Sequence, residues 1–209
     1  MKSLHVLNVL GGALAALVLL GGAAEPPSPG PEGPQFDAGG NLLFPAAYRD
    51  WAFLSSGLDM SYIAGPAAAN NRHIFNNTFV PGSAYRAFLQ KGTWPQHTII
   101  VIEHRAGATD VSINKRGVVQ TPQILGFEAH VKDAARFKGG WGFFSFGEGD
   151  KSAELIAYSA DKDSCYGCHL AHGAVDTTFV QFYPTLLPVA AKLGTLNPDY
   201  VKETGTKVK

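Results

Sequence analysis

The sequence is short of cysteine, methionine and charge, and each shortage removes a class of protein. Two cysteines in 209 residues cannot make a disulfide-stapled scaffold. Of the two methionines, Met1 falls in the leading segment that reads as a signal peptide, so Met60 is the single thioether available to a folded domain. Charged residues are only 16% of the chain, and 17 Lys plus Arg balance 17 Asp plus Glu. There is no basic surplus to neutralise phosphates and no block of like charge, so nucleic acid is not an expected partner. Internal repeats are absent. The longest apolar run, Val6 to Leu20, falls short of the ~20 residues a membrane-spanning helix needs.

What remains is apolar and aromatic: 45% hydrophobic residues, 11% aromatic, enough for the core of one domain. The first 24 residues differ from the rest. Lys2, the apolar run and then Gly21, Gly22, Ala23 and Ala24 read as a signal peptide, and hence an exported domain. An uncleaved anchor is the rival reading, because the small residues do not form a clean A-x-A site. Residues 25–35, with Pro at 26, 27, 29, 31 and 34, read as an extended linker. A domain over 36–198 and a polar tail over 199–209 complete the expected organisation.

Within the domain, Pro45 to Leu54 predicts a helix and His73 to Phe79 a strand. Pro81 to Gln90 predicts a second helix, closed by Gly92. The β-branched run Thr98 to His104 is the clearest strand, followed by a long polar loop from Arg105 to Gln120 that could close a hairpin. Further strands are expected at Ile124 to Val131 and Trp141 to Phe146, around a Lys138-Gly139-Gly140 turn, with helices after them. The fold class implied is α+β, an antiparallel sheet flanked by helices.

The chemistry is concentrated in Cys165-Tyr166-Gly167-Cys168-His169. C-x-x-C-H is the signature of covalent c-type haem attachment. Two thiols one helical turn apart can reach the two vinyl groups of a porphyrin, and the next residue offers an imidazole to the iron. A disulfide over so short a span would be strained, and a zinc site would need two more ligands at zinc spacing. The motif therefore assigns one haem c to Cys165 and Cys168, with His169 as the iron ligand, on a C-terminal helix. For the sixth position Met60 is the one thioether. His172, one turn after His169, points to the same side, and His73, His104 and His130 read as strand histidines satisfied locally. This pattern favours a five-coordinate haem, with a plain electron carrier as the alternative.

A longer set of residues has a family likeness. F-P-x-x-Y-R-x-W (Phe44, Pro45, Tyr48, Arg49, Trp51), the stretch Phe127 to Asp133, Arg136-Phe137, Gly140 to Phe146, C-x-x-C-H and Phe179 to Pro184 together resemble cytochrome P-460, a family that includes the cytochromes c′-beta. The resemblance implies a periplasmic, often dimeric, antiparallel-sheet domain with one haem c. It also implies a small nitrogen ligand, nitric oxide or hydroxylamine, and a periplasmic redox partner. In cytochrome P-460 itself a strand lysine is bonded to the porphyrin. The corresponding position here is Ile102, and Lys115 lies in the following loop, in another register. The resemblance further places Glu128 and Arg72 near the open face of the haem, as candidate catalytic residues, with Ile102, Phe127 and Phe144 as apolar walls. Read from the residues alone, Glu128 and Arg72 are equally a solvated strand carboxylate and a surface arginine.

Overall fold

The computed structural model describes residues 32–62, 65 and 72–205. The expected signal peptide, 1–24, and residues 25–31 of the linker lie outside the described residues. Among those described, no helix is long and apolar enough to cross a membrane.

Over the described residues the chain is α+β, with four α-helices and antiparallel sheets. Its centre is a five-stranded antiparallel meander: β2 (Ala52–Leu58), β3 (His73–Val80), β4 (Ile99–Thr109), β5 (Val118–Lys132) and β6 (Trp141–Phe146), in that spatial order. A small second sheet pairs β1 (Leu42–Leu43) with β7 (Ser152–Ala153). Helix α1 (Gly82–Lys91) joins β3 to β4. Helices α2 (Cys165–His172), α3 (Leu187–Leu193) and α4 (Pro198–Thr204) follow the sheet.

Alternation along each strand sends neighbouring side chains to opposite faces, and both faces are covered. On one face Val80, Ile100, Ile102, Trp141 and Phe143 join a core closed by Phe88 of α1, Ala190 of α3 and Tyr183. On the other, Phe79, Val101, Phe127, Ala129, Phe144 and Phe146 pack against the N-terminal segment through Leu42, Tyr48 and Phe44. The C-terminal stretch read as a polar tail begins within α4, whose Tyr200 is buried in the first core.

Two expected elements are corrected. The helix expected over Pro45 to Leu54 is one short 3-10 turn, Tyr48–Asp50, followed by β2 from Ala52. The reason is tertiary: Ala52 to Leu58 pair along β3, so an aromatic-rich segment with helical spacing is taken up as an edge strand. The long loop from Arg105 to Gln120 is mostly hairpin. β4 runs on to Thr109 and β5 begins at Val118, with Thr109 opposite Val118. Up to Gly107 the arm is also paired with β3, and only its end, Ala108 and Thr109 against Val118 and Val119, is two-stranded.

One charged residue sits inside the second core. Glu103 is completely buried, in phase with Ile99 and Val101 on β4. Its carboxylate accepts hydrogen bonds from Tyr48 Oη, from Arg49, from Asn77 Nδ2 at 3.0 Å and from Arg105 Nε at 2.7 Å. Two members of the Tyr48-Arg49 motif are thus explained as partners of a buried carboxylate.

Candidate haem site

The C-x-x-C-H segment forms the start of α2, and local sequence dictates its geometry. Ser164 caps the helix, its hydroxyl accepting from the Gly167 amide at 3.0 Å. The turn before the cap folds back against the helix so closely that a Cβ on Gly167 would lie 2.0 Å from the Asp161 carbonyl oxygen. Only glycine fits between the two cysteines at that position. Tyr166, beside it, stacks at 4.6 Å on Tyr158 and fixes the helix against the end of the sheet.

His169 is held ready for coordination. Its Nδ1 donates to the Thr177 carbonyl at 2.9 Å, which leaves Nε2 as the free nitrogen. The ring stacks on Phe179 at 4.0 Å and meets the edges of Phe143 and His130. Burial, partly opposed by the Thr177 carbonyl and Glu128, brings its pKa down to about 4, so the imidazole is neutral at physiological pH, as a metal ligand must be. One residue of this support is unsatisfied: Thr177 Oγ1 is a buried side-chain oxygen without a hydrogen-bond partner.

His169 opens into a cavity of about 270 Å³, lined also by Met60, Ile102, His104, Glu128 and His130. A larger one of about 950 Å³ lies against Cys168 and shares Tyr62, Phe179 and Phe182 with the first. Cavities of several hundred Å³ are the size that small-molecule and cofactor sites occupy. Both cysteines are free thiols. Burial raises the pKa of each, and at Cys165 the Glu128 charge adds to the effect. Two unpaired thiols, a neutral imidazole with one free nitrogen and adjoining apolar-walled space fit a covalently held haem.

Of the residues singled out from sequence, Cys168, His169, Ile102 and Glu128 line these two cavities; Cys165 faces a smaller one beside Tyr158 and Tyr166. Arg72 does not join them; it is exposed and lines none of the three. Phe127 and Phe144 are not walls of this site. Both are buried in the core on the far face of the sheet. Phe127 precedes Glu128 on one strand, so the two must point to opposite faces, and Phe144 stands opposite Ala129 on the far face. The aromatic on the near face is Phe143, opposite His130 and touching His169. His104 and His130, read as locally satisfied, belong to the cavity. Stepping two residues from Glu128 along β5, and across the ladder from it, would have found His130 and Phe143.

A thiol pair and an imidazole on one helix, beside cavities under an antiparallel sheet, are a donor set of the kind that haem-binding cytochromes use. The model of the family Cytochrome P460 matches residues 45–180, most of the described chain. The chain belongs to the cytochrome P460 family, and membership implies a haem-binding cytochrome. Among curated proteins none matches it significantly.

Proposed function

We propose that the chain is an exported, periplasmic c-type cytochrome whose open iron binds nitric oxide or a related small nitrogen ligand. Cys165 and Cys168 would hold one haem through thioether bonds and His169 would be its axial ligand. The haem would supply the iron and its redox chemistry. The chain's own residues orient the imidazole through Thr177, exclude water with Phe179 and Phe143, and present Ile102 and Glu128 to the cavity. A periplasmic redox partner and a homodimer remain part of the reading through family resemblance.

The observation that carries the open-iron reading is the lining of the His169 cavity. Among the described residues it is lined by Ile102 and by no lysine; Lys162 lines the adjoining larger cavity. Lys115 sits at the exposed tip of the hairpin arm, 3.0 Å from Asp110. His104 and His130 of the cavity lie within 4 Å of Glu128, at 3.6 and 3.9 Å. The optical spectrum of the purified holoprotein, ferric and then dithionite-reduced, is the test. We expect a broad, unsplit ferrous spectrum; a strongly red-shifted Soret band would instead reveal a lysine link.

Met60 favours a second reading, a plain electron carrier, because it lines the same cavity as His169. Sharp, split low-spin bands that change in a Met60→Leu protein would establish it. An oxidoreductase acting on hydroxylamine or nitric oxide is separated by Glu128→Gln. Loss of a general base costs about 10²–10⁴ in turnover. We expect nitric oxide affinity to stay nearly unchanged, and a loss of hydroxylamine turnover of that size would sink a binding-only role.

A further inference from the structure

The near face of the sheet carries a chain of polar groups that ordinary strand histidines would not form. Asn76 and His104 are cross-strand partners on β3 and β4, and Ile102 and Glu128 are partners on β4 and β5. His104 therefore stands diagonally across from Glu128 on the same face, within reach of a long side chain. Its direct partner on β5 is Gly126, which offers no side chain to come between them.

The ring is fixed at one end. His104 Nδ1 lies 2.8 Å from Asn76 Oδ1, and donation there directs Nε2 at the carboxylate, 3.6 Å from Glu128 Oε1. The second carboxylate oxygen faces His130 Nε2 at 3.9 Å, from the same strand as Glu128. His130 in turn meets the ring of His169 at 4.7 Å. The carboxylate is thus bracketed by two imidazoles, one anchored by an amide and one wedged against His169.

Resting on the haem reading above, we infer that His104, held by Asn76, is the positioning residue for Glu128 and keeps its carboxylate turned to one place in the cavity. The role suits a group that must accept a hydrogen bond or a proton from a small nitrogen ligand. A free carboxylate on a half-exposed strand position would sample several rotamers. A single orientation, set against a ring that is tethered to Asn76 and lies 3.6 Å from one carboxylate oxygen, removes that loss. The lowered pKa of Glu128, caused first by His104, agrees with this arrangement.

Carbon monoxide on the ferrous holoprotein is the probe, read by the infrared C–O stretch, which reports the field at the bound ligand. The native protein should give one narrow band, and Glu128→Gln should shift it. His104→Phe should split or broaden that band as the carboxylate is released. Asn76→Ala, which removes only the group that holds the ring, should do the same, so the inference does not depend on the phenylalanine variant folding. A native-like band in both His104→Phe and Asn76→Ala, with Glu128→Gln still shifted, would overturn the positioning role and leave the site reading intact. No shift in any variant would overturn both.

Discussion

A Cys165→Ala/Cys168→Ala protein is expected to be recovered without covalently attached haem. Each attachment adds a thiol S–H across a vinyl double bond: the S–C bond forms at one carbon and the hydrogen passes to the other. No oxidant is required, and the thiols present here, both free and both raised in pKa, are in the form such an addition consumes. Without them His169 is the only anchor left, and a single imidazole bond does not survive denaturation. The measurement is a haem stain on a denaturing gel together with acid–acetone extraction. The native protein should stain and retain its haem, and the double variant should do neither. Each single variant should keep one thioether and show bands moved to longer wavelength, because one vinyl stays conjugated. Haem that stays with the denatured double variant would remove the cysteines from the attachment.

The second large effect lies far from the thiols. Glu103→Ala is expected to destabilise the fold by about 3–5 kcal/mol, the range for breaking a buried ion pair by deleting one partner. Arg105, whose side chain is only 13% exposed, would keep its bonds to the Thr121 and Pro122 carbonyls but lose its counter-charge. Asn77 and Tyr48 would lose their acceptor as well. A Glu103→Leu/Arg105→Met pair, which removes both charges, should recover much of that loss in a urea titration. If the single variant costs no more than a surface substitution, the carboxylate is not the anchor its contacts indicate.

The same group sets an acid limit. Hydrogen bonds and charge from Arg105, Tyr48, Asn77 and Arg49 overcome the cost of burial and bring the Glu103 pKa down to about 2 from an ordinary 4.5. A depressed carboxylate pKa stabilises the fold fully above the unfolded value and progressively less as pH falls. The contribution, about 3 kcal/mol by linkage, is therefore complete above about pH 5 and lost on the way to about pH 2. Unfolding monitored between pH 6 and 2 should show this loss in the native protein and not in the Glu103→Leu/Arg105→Met pair.

Much of the site was legible because its chemistry is local. Five consecutive residues, Cys165 to His169, fix thiol spacing and imidazole position along one helical turn, whatever the sheet does. The strands at His73, Thr98, Ile124 and Trp141 were legible for the same reason, since their period is written in adjacent residues. Segments with two local meanings were not. Pro45 to Leu54 has the proline and aromatic spacing of a helix start, and only β3, some twenty residues further on, draws its second half into the sheet. The hairpin arm looked like a loop because its residues are mostly polar or small and none from Arg105 to Gln120 is fully buried, so no apolar alternation marks it.

The sequence by itself determined the haem motif, the α+β class and the lack of a lysine at position 102. The tertiary structure decided which residues share the motif's space. Through the ladder register of β4, β5 and β6, His130 and Phe143 meet His169 and Glu128 and His104 share its cavity, while Phe127 and Phe144 are sent to the other core. Register and facing are set by pairing between distant strands. A single chain read along its length carries the alternation but not the face on which it closes.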